Sequence, residues 1–242
     1  MQQIDQATAR DQMVQIGELC YQKGYICGLE GNFSLRLDEK TLLTTPAGCN
    51  KGRLKPSSLV VTNLQGEPVT KDGISCRPST ELKMHLAAYA ARPDIRAIVH
   101  AHPAHAVAFT IAGLPLNRAI SPEAVLTLGG LGVAPYATPS TQDLVASLQG
   151  LLPHNKTIVL AHHGALVLGE DLWDAFYRLE SLEHHARTLY LASTLASPRM
   201  LSRSQLTRLY EISTVYGMTP STAEELEHKL NGWLTGPNDQ EQ

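Results

Sequence analysis

The chain has 242 residues, a net charge of −3, 18% charged side chains and four cysteines with no CxxC spacing. Weak acidity excludes the basic face that non-specific nucleic-acid binding needs, and no run of about 18 apolar residues exists to span a membrane. Such a length can bury a substantial core as one domain, and the cysteines read as reduced thiols of a cytoplasmic protein whose N-terminus lacks the pattern of a secretory leader.

Residues 5–22 place Ala7, Met13, Ile16 and Leu19 at helical spacing, and Gly24 closes the segment. Phe33-Ser-Leu-Arg-Leu alternates as a half-buried strand does; Asp38-Glu39-Lys40 makes a turn into a partner strand, Thr41-Leu-Leu-Thr-Thr. Leu59-Val-Val-Thr is another short strand. Ser79 or Thr80 is expected to cap a helix that stops near Ala91, ahead of Arg92-Pro93. Strand 96–100, helix 103–112, strand 131–134, helix 140–151 and strands 157–161 and 164–168 follow, and helices 171–196, 203–217 and 222–233 complete the pattern. Helices and strands interleaved in this way predict an α/β fold. It is a single layered domain over residues 1–235, with a central, partly antiparallel mixed sheet flanked by helices. The polar segment 236–242 reads as a disordered tail.

The chemistry concentrates at two strand ends. Ala97-Ile-Val-His-Ala-His102 finishes an apolar run with histidines at i and i+2, whose side chains share one face of a strand. Thr157-Ile-Val-Leu-Ala-His-His-Gly ends a second apolar run in histidine. Together they fit a three-nitrogen site for a divalent metal, with zinc the expected ion and a nearby carboxylate for the ligand shell or for acid–base work. The other histidines compete for that role. His184 and His185 point about 100° apart on a helix and sit among Glu180, Glu183 and Arg187, which reads as a solvated face. His105, His154 and His228 lack a partner at ligand spacing, and His85 lies one turn after Glu81 as a structural neighbour.

Three small-residue segments look suited to an anion. Gly28-Leu-Glu-Gly31-Asn32 lets backbone amides approach a ligand, Thr44-Thr45-Pro46-Ala47-Gly48 follows a strand, and Pro78-Ser79-Thr80-Glu81 opens a helix. Each alone is ordinary turn or cap chemistry. Beside a metal constellation, they point to a phosphorylated substrate.

These segments resemble the class II aldolase/adducin superfamily over roughly residues 8–217. The matching motifs are Gly31-Asn32-Phe-Ser, Thr45-Pro-Ala-Gly48, Pro78-Ser-Thr-Glu81, Val99-His-Ala-His102, Ala134-Pro-Tyr-Ala-Thr138 and His162-His163-Gly164. The resemblance implies zinc, with manganese or cobalt as alternatives, on His100, His102 and His163. It makes Glu81 the catalytic acid/base and an occasional fourth ligand. It places Gly31, Asn32, Ala47, Gly48, Ser79 and Thr80 around the substrate phosphate and makes Tyr216 a residue that closes over the site. It further implies a homotetramer with active sites between subunits.

Two departures stand out within this resemblance. Ala47 replaces a phosphate-binding threonine of the L-fuculose-1-phosphate aldolase branch, with Lys51 as a compensating cation. Glu123, in Ser121-Pro122-Glu123, falls where that branch carries a proton-donating tyrosine, and it resembles the glutamate base of the dehydratase branch. The expected activity is zinc-dependent, reversible aldol cleavage of a ketose 1-phosphate to dihydroxyacetone phosphate and an aldehyde through a metal-stabilised enediolate. The same site suits a sugar-phosphate dehydratase, decarboxylase or 4-epimerase, and a non-catalytic adducin-like interaction module is the remote alternative. A Schiff-base route is disfavoured because Lys51, between Asn50 and Gly52-Arg53, reads as a solvated loop residue.

Overall fold

A computed structural model describes residues 4–69, 76–216 and 221–234. The first helix, α1 (Gln6–Gln22), starts where the Asp5 carboxylate accepts from the Thr8 amide, and it buries Met13, Ile16 and Cys20. Such a cap stabilises a helix by about 1 kcal/mol. The strands are β1 (Asn32–Arg36), β2 (Thr41–Thr44), β3 (Val60–Asn63), β4 (Ala97–Ala101), β5 (Gly132–Ala134), β6 (Thr157–Leu160) and β7 (Gly164–Gly169). The remaining helices are α2 (Leu82–Ala91), α3 (Ala104–Ile111), α4 (Pro122–Leu128), α5 (Gln142–Leu148), α6 (Leu172–Leu195), α7 (Arg203–Glu211) and α8 (Ala223–Asn231). They flank one seven-stranded mixed sheet in the order β3-β2-β1-β4-β7-β6-β5. Its neighbouring strands run antiparallel except for the parallel pair β5 and β6.

Strand alternation separates two cores. Phe33, Leu35, Leu43, Val99 and Val167 face a layer that includes α1 and α6. Leu42, Ile98, Ile158, Leu166 and Leu168 face α2 and α5. α6 presses Leu172, Phe176, Leu179, Leu182 and Leu189 onto the first face, each fully or almost fully buried. Burial of each such side chain is worth about 1.5–3 kcal/mol. The alternation that sends Val99 to the α6 side sends His100 to the α2 side. This register gives the site its first residue.

Several boundaries differ from expectation. The cap position of α2 falls on Glu81, not on Ser79 or Thr80, and Glu81 makes no capping bond because its carboxylate is turned toward the histidines. α4 was not among the expected helices; Ser121 caps it by accepting from the Ala124 amide. α7 stops at Glu211, and a separate 3₁₀ turn, Ser213–Tyr216, follows. The tail at 236–242 lies outside the described residues.

Candidate active site

His100 sits in β4, and His102 lies just past its end. The strand pairs with β7 through His100↔Leu166 and Ala101↔Ala165, which fixes both histidines against the turn that carries His163. That turn joins β6 to β7 and holds His162 in the left-handed region at φ 60, while the His163 amide donates to the Leu160 carbonyl at 3.0 Å. Gly164 completes it by close approach. A Cβ there would stand 2.5 Å from the Ala101 carbonyl oxygen and 2.6 Å from the His102 ring. Glycine after His163 is therefore a packing requirement of the histidine cluster.

The three rings converge with centroids 4.8 to 5.0 Å apart, and one nitrogen from each lies within 4.8 Å of the others. Nε2 of His100 and Nε2 of His102 are 3.2 Å apart, close to the roughly 3.3 Å separation of two nitrogens on one tetrahedral zinc. Nδ1 of His100 donates to the Ala165 carbonyl at 2.9 Å, leaving Nε2 to face the centre. Burial, and next the charges of His100 and His163, push His102 down to about 3. Burial and His100 push His163 down to about 4. Imidazoles that stay neutral at ordinary pH are metal ligands without a proton to displace.

Glu81 completes the centre. Oε2 lies 3.2 Å from Nε2 of His100, and Oε1 lies 3.4 Å from Nε2 of His163. Burial by itself would raise the Glu81 pKa. The hydrogen bond and charge of His100, the charge of His163 and the amide of Asn32 outweigh burial and hold the carboxyl well below the usual range. Asn32 donates to Oε2 at 2.8 Å. His100 thus commits Nδ1 to the Ala165 carbonyl and turns Nε2 toward the Glu81 carboxylate. The donor set fits a divalent metal.

Other parts support these residues. His85 is buried beneath the site, hydrogen-bonded to Ser34 Oγ at 2.7 Å, in the structural role expected of it. Glu30 lies with Oε2 3.5 Å from Nδ1 of His102 and accepts from the Cys27 amide. Carboxylates behind ligand imidazoles orient them and raise their basicity. Sequence reasoning did not assign Glu30, although it stands inside the Gly28–Asn32 segment. Glu183 accepts from the amides of His105 and Ala106, and so anchors the first turn of α3, which follows His102 directly.

The expected phosphate residues also gather. Gly31, at φ 70, packs so closely under β4 that a Cβ would meet the His100 carbonyl at 2.8 Å. The Ala47 amide donates to the Arg77 carbonyl and the Ser79 amide to the Thr45 carbonyl, which binds the second segment to the third. Ser79 Oγ accepts from the Glu81 amide at 3.3 Å, and Thr80 Oγ1 accepts from Ser140 Oγ at 3.1 Å. Gly48 adopts φ 67 over open space.

Four expectations fare differently. Lys51 is not solvated: it is 3% exposed, because its ammonium is drawn to the carbonyls of Leu29 and Cys49. His185 is likewise buried, with Nε2 3.0 Å from the Leu116 carbonyl, and only His184 of that pair is exposed. Glu123 is exposed in the first turn of α4, with no hydrogen bond or ion pair among the described residues. Tyr216 ends its 3₁₀ turn, and its side chain lies outside the described part of the structure.

Known proteins share this architecture. The family model described as "Class II Aldolase and Adducin N-terminal domain" matches residues 11–190. A "3-oxo-tetronate 4-phosphate decarboxylase" of Haemophilus influenzae is 36% identical over 75% of this chain and 86% of its own. A "5-deoxy-D-ribulose 1-phosphate aldolase" of Bacillus thuringiensis is 30% identical over 86% of this chain and 96% of its own. The crystal structure of YgbL from Klebsiella pneumoniae superposes with a TM-score of 0.78 at 34% identity, covering 85% of this chain and 99% of that one. With the histidine cluster, Glu81 and the sheet that carries them, these likenesses make the chain a member of the class II aldolase and adducin family.

Proposed function

We propose that the chain is a metal-dependent carbon–carbon lyase that decarboxylates a 3-oxo sugar-acid phosphate, such as a 3-oxo-tetronate 4-phosphate, to dihydroxyacetone phosphate. The observation that carries this reading is Glu81, the one carboxylate among the described residues that faces both His100 and His163. A divalent cation held by His100, His102 and His163, with zinc favoured by three imidazoles and manganese or cobalt as alternatives, would supply Lewis acidity at the substrate's 3-oxo group.

In this reading Glu81, ionised by its surroundings, takes the proton of the C2 hydroxyl. The C1–C2 bond then breaks, its electron pair passes into a C2–C3 enediolate, and carbon dioxide leaves with no second base required. Glu81 returns its proton to C2, and water reprotonates the hydroxyl oxygen as product departs. Asn32 holds Oε2 throughout, while Oε1, which has no hydrogen bond among the described residues, exchanges the proton. The phosphate would lie among Gly31, Asn32, Ala47, Gly48, Ser79 and Thr80.

Aldol cleavage demands a second group, to remove the C4 hydroxyl proton as the aldehyde forms. Glu123 and Tyr216 are the residues proposed for it. The Bacillus aldolase likeness keeps this second reading in play, and it leads to the same enediolate and the same three-carbon product. A homotetramer with sites between subunits would bring such groups in from a neighbour. The exposed apolar residues Ile111, Leu114, Val133 and Tyr136 support a covered face. Tyr136 packs edge-on against His162, next to His163.

Metal-loaded protein incubated with 3-oxo-acid 4-phosphates and with ketose 1-phosphates decides between the readings. Carbon dioxide released with dihydroxyacetone phosphate is the expected result, an aldehyde with the same product favours aldol cleavage, and loss of water marks a dehydratase. Turnover of neither substrate class removes both readings. In the decarboxylation reading Glu123→Gln changes the rate little; in the aldol reading it slows cleavage far more than exchange of the dihydroxyacetone phosphate C3 proton.

A further inference from the structure

Among the described residues Lys51 is the only lysine or arginine that is buried. Its ammonium donates to the Leu29 carbonyl at 2.7 Å and to the Cys49 carbonyl at 2.9 Å. These bonds tie the Gly28–Asn32 segment to the segment that follows β2, the two loops that adjoin the histidine site. Both partners are neutral, and no carboxylate forms an ion pair with Lys51 among the described residues. An ammonium carries three N–H donors, so one remains unassigned. A charge buried without a counter-charge is costly, and an arriving anion relieves that cost.

The surroundings match an anion. Gly48 and Thr80 donate their amides to no protein group among the described residues. The space beside Gly48 is open, since a Cβ there would meet nothing within 4 Å. Ala47, in the same loop, offers no hydroxyl. Burial draws the Lys51 pKa down, while Cys49 and Glu81 oppose that shift, so the ammonium lies within electrostatic reach of the acid–base carboxylate.

We propose that Lys51 is the fixed cation of the phosphate subsite and that its third N–H, with the amides of Gly48 and Thr80, meets the substrate's phosphate group. Two bonds to carbonyls hold the ammonium in place before substrate arrives, so little ordering remains to be done on binding. This inference rests on the reading of the substrate as a phosphate ester and is indifferent to which carbon–carbon bond breaks.

The test titrates inorganic phosphate into metal-loaded protein by calorimetry, for the wild type and for Lys51→Met, Lys51→Gln and Lys51→Arg. Metal content and melting temperature are recorded for each. Loss of one charge-assisted bond predicts phosphate binding weaker by about 10- to 100-fold in the Met and Gln variants, with partial retention in Arg and unchanged metal content. With a phosphorylated substrate, KM rises while kcat changes less. Gln still donates to one carbonyl, so it carries the test if Met fails to fold. Phosphate affinity unchanged in the folded neutral variant, or no phosphate binding to the wild type, overturns the proposal. Lys51-dependent phosphate binding without decarboxylation or aldol cleavage would remove the reaction reading and leave this one standing.

Discussion

His100, His102 and His163 meet with ring centroids 4.8 to 5.0 Å apart, whereas His154 and His228 stack even closer, at 4.0 Å and an interplanar angle of 27°. The second pair lines a cleft with Arg92, Lys156, Arg178 and Lys229. Its rings lie face to face, so their in-plane lone pairs run side by side and do not aim at one point. One ring rides on α8 and the other on a surface turn, and the cleft mixes those cations with the carboxylates of Asp94, Glu170 and Glu225. Burial and the neighbouring His154 draw the pKa of His228 down, and no carboxylate forms an ion pair with either ring among the described residues. The triad instead projects from strand ends locked in the sheet, with Glu81 in front and Glu30 behind. Closeness of imidazoles therefore does not make a metal site. Convergent nitrogens, a rigid backbone and a counter-charge do.

The largest effect should come from breaking the triad. His102→Ala is expected to lower bound divalent metal from about one ion per chain to near zero and to abolish turnover, while His154→Ala leaves both intact. Elemental analysis of the two purified variants checks this, and full activity in chelator-treated protein would refute the metal site itself.

Removing the counter-charge should affect chemistry more than binding. Glu81→Gln is expected to cut turnover by about 10²- to 10⁴-fold with metal content largely retained. Near-normal turnover in that variant would move the proton transfer to another group.

A smaller loss should follow at the carboxylate behind His102. Glu30→Gln is expected to weaken metal binding by about 10- to 100-fold, read by competition with a chromophoric chelator. An equivalent change at Glu225, beside His228, should leave metal affinity unmoved.

The smallest effect lies one layer deeper, where burial pushes His85 down to about 3. The folded protein keeps this imidazole neutral, while the unfolded chain takes up a proton below about pH 6.5. Unfolding therefore becomes more favourable as pH falls from there toward the folded value. The loss approaches about 1.4 kcal/mol per pH unit for one such group. Urea unfolding of metal-free protein at two pH values should show a shallower pH dependence for His85→Phe than for wild type. Equal slopes would mean that His85 is not the group responsible.

Much of the site was legible because its spacings are local. The i, i+2 histidines at the end of an apolar run, the His-Gly pair after a second run and the carboxylate at a helix start are patterns of strand alternation and turn geometry. Lys51 looks solvated in the sequence because its neighbours Asn50, Gly52 and Arg53 are polar, while the carbonyls that bury it come from a loop more than twenty residues away and from its own turn. His185 looks solvated for a related reason. Its helical neighbours are charged, but its ring reaches the Leu116 carbonyl and packs against Trp233.

The amino-acid sequence by itself determined the α/β class, most element positions, the three metal-binding candidates, Glu81 and the family, since all depend on short-range periodicity or on motifs within a few residues. Only the tertiary structure decided the strand order, which histidines converge and which merely stack, and where Glu30 and Lys51 stand. Those outcomes depend on contacts between segments far apart in the chain, where burial of charge and the register of β4 against β7 override what each neighbourhood suggests alone.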